Sequence, residues 1–256
     1  MIHSTVVIDP SASIDEGVEI GPYSVIGANV SIGSGSIIGS HVTINGTTTI
    51  GKGNRIYQFA SIGEDPQDKK YAGEASFLEI GDNNQIREFT TIHRGTTQDK
   101  NITVIGNDNL FMAYTHVAHD CVIANDVILA NAASLGGHVH IGSHVILGGF
   151  SIVHQFCHLG DHCFSAMGSA ISKDIPPYVM VGGRPTKPHG INSVGLERRG
   201  YSADAILHIK RAYKALYKSG MSLADATNKI IEMAEQYPEL KPMISFLEKS
   251  NRSILR

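Results

Sequence analysis

The chain has 256 residues, of which 42% are hydrophobic, and its formal net charge at pH 7 is −3. This length suits one large domain or two smaller ones, and the small net charge predicts no nucleic-acid partner. The N-terminus lacks the basic and apolar regions of a signal peptide, and no apolar run reaches the ~20 residues that span a bilayer. The three cysteines predict no disulfide framework, and a cytoplasmic location is expected.

An apolar residue recurs every six positions through the first two thirds of the chain. Isoleucine occupies each sixth position from Ile2 to Ile62, and similar spacing continues from Ile80 to Ile92 and from Ile105 to Ile171. An amphipathic helix repeats every 3.6 residues, so the pattern is not helical. It predicts short strands joined by corners, three strands to a coil, with the apolar side chains stacked in one continuous core.

Two polar segments interrupt the repeat, at residues 63–79 and 93–103, and both are predicted to be loops that project outward. The cysteines lie four residues after core positions, where small inward side chains recur. We therefore predict that Cys121, Cys157 and Cys163 are buried packing residues rather than metal ligands or nucleophiles.

The repeat ends near Ile175, and helical periodicity follows a stretch rich in proline and glycine. Ser202 is predicted to cap a first helix and Ser222 a second that runs to about Tyr237, with a third over 242–250. Residues 198–256 carry 11 Lys and Arg against 6 Asp and Glu. This basic end suggests an anionic partner, although a solvated helix face explains the charge equally well.

Histidines gather at outward positions after the second interruption. His116, His119 and Asp120 lie outside the core register, and His138 and His154 follow about one and two coils after His119. Because neighbouring strands lie about 4.8 Å apart, His119, His138 and His154 are predicted to form a column on one edge within roughly 10 Å.

Three interpretations of this column remain open from the residues alone. It could be ordinary surface polarity on a non-catalytic scaffold. It could be a metal site, since imidazole binds zinc and some hexapeptide-repeat proteins are three-histidine carbonic anhydrases of the γ type. It could also be a general base, with Asp120 fixing the tautomer of His119.

Longer motifs resemble one enzyme family. They are IYQFASIGEDPQDKKYAGE at 56–74, TIHRGT at 91–96, THVAHDC at 115–121, GGHV at 136–139, VHQFC at 153–157 and GLERRG at 195–200. Together they resemble the UDP-N-acetylglucosamine O-acyltransferases of lipid A biosynthesis, which are hexapeptide-repeat proteins. The resemblance implies a left-handed parallel β-helix over residues 1–183, followed by a small α-helical domain over 184–256.

The resemblance also implies the chemistry. A homotrimer would move a (3R)-hydroxyacyl chain from acyl carrier protein to the glucosamine 3-hydroxyl of UDP-N-acetylglucosamine, in clefts between neighbouring subunits. It implies no bound metal or cofactor, since the phosphopantetheine arrives on the carrier protein. His119 would be the general base, Asp120 its orienting acid, and the Gly137 N–H an oxyanion donor.

A larger set is implied to bind substrate: Gln67, Asp68, Lys70, His93, His116, His138, His154, Gln155, Asn192, Arg198 and Arg199. Met167 and Pro185 are expected to set acyl-chain length. Val194 departs from the family pattern, because an acidic nucleotide contact is expected there. N-acylation of a related UDP-amino sugar is the alternative within the same chemistry.

Overall fold

The computed structural model describes residues 1–250 and 253–256. The chain up to Ile191 is organised around very short strands joined by turns, because each six-residue unit supplies a buried apolar residue before the backbone turns. In chain order these strands are β1 Val7–Ile8, β2 Ser13–Ile14, β3 Glu19–Ile20, β4 Val25–Ile26, β5 Ser31–Ile32, β6 Ile37–Ile38, β7 Thr43–Ile44, β8 Thr47–Ile50, β9 Arg55–Ile56, β10 Ser61–Glu64, β11 Phe77–Ile80, β12 Gln85–Ile86, β13 Thr91–His93, β14 Ile102–Ile105, β15 Leu110–Phe111, β16 His116–Val117, β17 Val122–Ile123, β18 Ile128–Leu129, β19 Ser134–Leu135, β20 His140–Ile141, β21 Ile146–Leu147, β22 Ile152–Val153, β23 His158–Leu159, β24 Phe164–Ser165, β25 Ala170–Ile171, β26 Val179–Gly182 and β27 Lys187–Ile191.

Every third strand joins the same sheet, so the chain winds around three parallel sheets. The first sheet runs from β1 through β4 to β25, the second from β2 through β5 to β23, and the third from β3 through β6 to β24, β26 and β27. Partners in the register, such as Ile26 and Ile44, are one 18-residue coil apart. The structure therefore confirms the predicted coil of three strands.

The core runs along the axis of the coils and consists of the repeating apolar residues. Ile62, Ile92 and Val117 are fully buried, and each buried side chain of this size contributes about 1.5–3 kcal/mol to folding. All three cysteines are buried thiols, as predicted.

Both predicted loops leave the same corner of the prism. The first connects β10 of the first sheet to β11 of the second, and the second connects β13 of the first sheet to β14 of the second. Later turns between these two sheets lie at residues 118–121, 136–139 and 154–157. We call this corner, with its two loops, the loop edge. The topology thus places both loops along the edge that carries the histidines.

The C-terminal part begins with an antiparallel hairpin of β26 and β27 and continues as helices. The helices are α1 Ser193–Arg198, α2 Ala203–Tyr217, α3 Leu223–Ala234 and α4 Lys241–Lys249, with a 3₁₀ turn at Pro238–Leu240. None of the described helices is long and apolar enough to cross a bilayer.

The hydroxyls of Ser202 and Ser222 accept hydrogen bonds from the N–H groups of Ala205 and Asp225, which confirms both predicted N-caps. The second predicted helix, α3, ends at Ala234, before the predicted end at Tyr237. The sequence did not predict α1, which is too short for a periodic pattern. The domain boundary between residues 183 and 184 stays a prediction, and β27 lies after it.

Candidate active site

A histidine and a carboxylate form a close pair on the loop edge. The Nδ1 atom of His119 lies 2.8 Å from Oδ2 of Asp120, and these side chains are only 12% and 1% exposed. A carboxylate only accepts hydrogen bonds, so Nδ1 carries the proton in this pair. The Nε2 atom of His119 is then the ring nitrogen with a lone pair, which is the arrangement that a general base requires.

Asp120 is fixed by residues of the second loop that the sequence did not single out. Its Oδ1 accepts a hydrogen bond from the Thr96 N–H at 2.9 Å, and its Oδ2 accepts one from the Thr96 hydroxyl at 2.6 Å. The Asp120 N–H donates to the Thr103 hydroxyl at 2.8 Å. Burial raises the pKa of Asp120, but the hydrogen bonds from His119 and Thr96 outweigh it and hold the pKa below its ordinary value of 3.8.

Gly137 lies directly against the imidazole of His119. A β-carbon at this position would lie 2.6 Å from Cε1 and 2.8 Å from Nε2 of His119, closer than any side chain could pack. Glycine is therefore the residue that lets the backbone approach the ring. In the part of the chain that the structure describes, no oxygen accepts a hydrogen bond from the Gly137 N–H.

His138 follows Gly137 and continues the column, but His154 does not extend it as predicted. The His138 ring meets the His119 ring edge-on at 5.0 Å and stacks flat on Phe156 at 4.4 Å. Phe156, not His154, therefore occupies the next position, because Phe156 lies 18 residues after His138 at the equivalent corner. His154 and Gln155 are exposed on the same edge, where the Nδ1 atom of His154 lies 3.1 Å from the Gln155 carbonyl oxygen.

His93 and His116 form a second group beside His119. The two rings meet edge-on at 5.3 Å, and Nδ1 of His116 lies 2.8 Å from the Thr91 hydroxyl. Burial, with the neighbouring charges of His93 and His119, lowers the pKa of His116 to about 4. His116 is therefore neutral at pH 7. Nε2 of His93 lies 3.5 Å from the Gln67 amide, which links this group to the first loop.

The first loop brings Asp68 and Lys70 to the same edge. Asp68 accepts hydrogen bonds from the Lys70 N–H at 3.0 Å and from the Gln98 amide of the second loop at 3.1 Å. The Lys70 contact is the largest cause of a lowered Asp68 pKa, and the charge of His119 lowers it further. The two loops are thus joined to each other near the base.

Arg94 anchors the first loop and was missed by the sequence analysis. Its buried guanidinium donates hydrogen bonds to the Gly63 carbonyl and the Asp65 carboxylate, and to the Tyr71 hydroxyl at 3.2 Å. Gly46 leaves the space for this guanidinium. The sequence feature that could have indicated this anchor is the position of Arg94, directly after His93 at the start of a loop.

The remaining predicted residues lie on other edges of the prism. Asn192 caps α1 by accepting from the Gly195 N–H at 3.1 Å, and its amide donates to the His162 carbonyl at 3.1 Å. Its side chain is therefore already engaged within the fold. Arg198 and Val194 are exposed on α1, whereas Arg199 is half-buried and donates to the Gly195 carbonyl at 3.2 Å.

Met167 and Pro185 lie together at the corner between the third and first sheets, where the Arg184 guanidinium donates to the Gly168 carbonyl at 2.8 Å. The Met167 side chain is exposed. A single prism therefore brings His119 and its neighbours together on the loop edge, but it keeps Met167, Pro185 and α1 away from that edge.

Possible metal ligands also meet at His119. His119, Asp120 and His138 each offer one ligand atom, and these atoms lie within 4.8 Å of one another. Among the described residues this is the one such group, and it contains two histidines rather than the three of the carbonic anhydrase interpretation. The Nδ1–H of His119 donates its hydrogen bond to Oδ2 of Asp120, so Nε2 is the ring nitrogen of His119 that has a free lone pair.

The parallel β-helix of six-residue units resembles that of the hexapeptide-repeat transferases. The family model described as bacterial transferase hexapeptide (six repeats) matches residues 11–46 and 102–137. A second model, described as Udp N-acetylglucosamine O-acyltransferase; Domain 2, matches residues 174–255.

Individual relatives extend the match to the whole chain. The acyl-(acyl-carrier-protein)–UDP-N-acetylglucosamine O-acyltransferases of Thiobacillus denitrificans and Janthinobacterium sp. are 51% and 53% identical, over 100% of this chain and 99% of theirs. The solved UDP-N-acetylglucosamine O-acyltransferase of Moraxella catarrhalis is 48% identical with a TM-score of 0.98, over 100% of this chain and 99% of that one. The chain belongs to the UDP-N-acetylglucosamine O-acyltransferase family: it is an acyltransferase, and its β-helix is left-handed, as predicted.

Proposed function

We propose that this enzyme transfers a (3R)-hydroxyacyl chain from acyl carrier protein to the 3-hydroxyl of UDP-N-acetylglucosamine in lipid A biosynthesis, with His119 as the general base. The observation that carries the proposal is the His119–Asp120 pair, which leaves Nε2 of His119 free to accept a proton beside the Gly137 backbone. The names of the curated relatives support both substrates.

The reaction proceeds by direct acyl transfer. Nε2 of His119 takes the proton of the sugar hydroxyl as its oxygen bonds to the thioester carbonyl carbon. The Gly137 N–H donates to the oxyanion of the tetrahedral intermediate, and one such donor contributes ~3 kcal/mol to the transition state. The intermediate then collapses, the carbon–sulfur bond breaks, and the thiolate of phosphopantetheine recovers the proton from His119. These steps use no bound cofactor.

Product analysis tests this function. The purified protein is incubated with UDP-N-acetylglucosamine and hydroxyacyl carrier protein, and the acylated sugar nucleotide is followed by mass spectrometry. We expect a product that hydroxylamine cleaves, as an ester is cleaved, and its loss in His119→Ala. A hydroxylamine-stable amide formed on a 3-amino sugar nucleotide would favour N-acylation. Stoichiometric zinc whose removal abolishes activity would instead support a metal enzyme.

We propose a homotrimer whose active sites lie between subunits. The separation of the base from Met167, Pro185 and α1 on different edges supports this arrangement, because a neighbouring copy could bring those edges together. Mixing offers a test: His119→Ala and Arg198→Ala subunits, inactive or weak alone, should restore transfer when unfolded and refolded together. Light scattering should give three times the 27.5 kDa chain mass. A fully active monomer would contradict the proposal.

The helical part offers a surface for an acidic carrier protein, and we propose that the carrier protein binds there in the cytoplasm. A groove of about 550 Å³ between α2 and α3 has Met221, Met233 and Tyr237 in its lining. Four cationic side chains also line it: Arg211, Lys214, Lys218 and Lys229. Apolar and cationic groups together are suited to a partner helix with acidic residues beside an apolar stripe.

Charge reversal in this groove separates carrier binding from chemistry. We expect Lys218→Glu with Lys229→Glu to raise KM for the acylated carrier protein, but not for acylated phosphopantetheine without its protein. Lys52→Glu, on an exposed part of the β-helix, is the matched control. Equal effects on both donors would place the carrier protein elsewhere.

We propose that Met167 favours a shorter acyl chain than glycine would at this position. Its long apolar side chain is exposed, so it could occupy space in a groove completed by a neighbouring copy. A chain of about ten carbons is expected to be preferred over one of about fourteen, because apolar pockets discriminate between chains by the methylenes they accommodate. Competition between the two donors, repeated with Met167→Gly, tests this. Wild-type preference for the longer donor would contradict it.

A further inference from the structure

A second histidine–carboxylate pair stands next to the first. The Nδ1 atom of His138 lies 3.1 Å from Oδ2 of Asp99, a residue of the second loop. The His138 side chain is 11% exposed and the Asp99 side chain 38% exposed. Because the carboxylate only accepts, the contact places the His138 proton on Nδ1 and directs Nε2 to the opposite side of the ring.

The other sides of the His138 ring are also defined. One face stacks on Phe156, and the ring edge meets His119 at an interplanar angle of 89°. Nε2 of His138 lies 3.8 Å from Oδ2 of Asp120, so it points toward the base rather than toward bulk solvent. Asp99 is thus the contact that decides which nitrogen of His138 faces the reaction centre.

The second loop supports both pairs through one short segment. Thr96 holds Asp120 with its N–H and its hydroxyl, and the Asp99 N–H donates to the Thr96 carbonyl at 3.3 Å. The position of Asp99 over His138 is therefore tied to the position of Asp120 beside His119. One turn of the loop orients both imidazoles.

We propose that Asp99 is a positioning residue for acyl transfer: it fixes the tautomer and orientation of His138 so that Nε2 faces the bound substrate. The inference rests on the proposed function and on the substrate contact that the family resemblance implies for His138. Asp99 itself need not touch the substrate. In Asp99→Asn the amide can donate a hydrogen bond to Nδ1, which would move the ring proton to Nε2 and remove the acceptor there.

Kinetics of a double-mutant cycle test the inference. We expect Asp99→Asn to raise KM for the sugar nucleotide about tenfold with a smaller change in kcat. Combined with His138→Ala, it should add no further loss, because Asp99 acts through His138. Asp99→Glu should recover part of the affinity, and Lys100→Ala, next in the same loop, is the matched control. Additive losses, or an unchanged KM in Asp99→Asn, would overturn the inference.

Nitrogen NMR gives a readout that does not depend on turnover. With labelled histidine, Nδ1 of His138 should resonate as a protonated ring nitrogen in the wild type and as an unprotonated one in Asp99→Asn. An identical His138 spectrum in both proteins would refute the role of Asp99. Absence of acyl transfer in the wild type would refute the proposed function instead, so the two failures are distinguishable.

Discussion

The α-carbon of Gly137 faces the imidazole of His119 so closely that a β-carbon would come within 2.6 Å of the ring. The glycine and the histidine are 18 residues apart, which is one coil, so the repeat itself brings them together. In the proposed reaction, the Gly137 N–H can donate to the oxyanion only while the His119 ring keeps its position.

Gly137→Ala should therefore displace the His119 ring and impair catalysis more than folding. We expect kcat to fall at least about a hundredfold, because displacement of a catalytic group by about 1 Å can cost that much. Gly149→Ala is the matched control, since its β-carbon would meet its nearest neighbour, the Asn131 carbonyl oxygen, at 3.3 Å. Steady-state kinetics and thermal melting measure both. Gly137→Ala with wild-type kcat would contradict the proposed geometry.

Asp120 should link stability to pH at the acidic end. Its pKa is below 3.8, so it stabilises the fold above that pH, and this contribution is lost as the pH falls through the folded pKa. We expect Asp120→Asn to lower the free energy of unfolding at pH 7. The difference from wild type should shrink below about pH 4. Urea unfolding across this range measures the difference, and a difference that stays constant would count against an ionised Asp120 in the fold.

His116 should link stability to pH in a higher window. Burial and its histidine neighbours lower its pKa from 6.5 to about 4, so the unfolded chain takes up this proton first as the pH falls. Stability attributable to neutral His116 is thus present above pH 6.5 and is lost toward pH 4.

In His116→Gln, the fall in unfolding free energy between these pH values should be smaller than in the wild type. Part of the slope should persist, because burial and His144 also lower the pKa of His162 to about 4. Urea titrations at several pH values compare the two proteins. Parallel profiles would show that His116 does not titrate as the structure requires.

Gly46 should be needed for the anchor of the first loop. Its φ is +61°, and a β-carbon there would overlap the Arg94 guanidinium. Gly46→Ala should therefore lower the melting temperature and raise KM for the sugar nucleotide, because the loop carries Gln67 and Asp68. Gly35→Ala is a close control: its φ is +69°, but nothing lies within 4 Å of the added carbon. Equal effects of both variants would mean that backbone strain alone explains the loss.

The cysteine thiols should be unreactive in the folded protein. All three are buried, and burial raises the pKa of Cys121 to about 12 and that of Cys163 as well. Thiolate is the reactive form, so a disulfide reagent should label no thiol in native buffer and three per chain in denaturant. Inactivation by iodoacetamide under native conditions would contradict burial of these residues.

The sequence alone determined the architecture, because the period of six is a local property repeated many times. Each unit places an apolar residue such as Ile62 inward. The place of a residue within the repeat therefore predicts the coil, the core, the buried cysteines and the outward positions of His119 and Met167. The caps at Ser202 and Ser222 were also readable, since a capping side chain and the backbone N–H that donates to it are three residues apart.

Tertiary structure decided what completes the site. Thr96, Asp99 and Arg94 belong to or border irregular loops, where no repeat fixes the register, so their contacts with Asp120, His138 and Asp65 depend on the path of each loop. Phe156, rather than the predicted His154, continues the column for a related reason. A shift of two residues at a corner changes which side chain faces the neighbouring coil. Repetition and chain adjacency specify the scaffold and the His119–Asp120 pair locally, whereas the contacts that hold this pair and His138 in place join segments far apart in the chain.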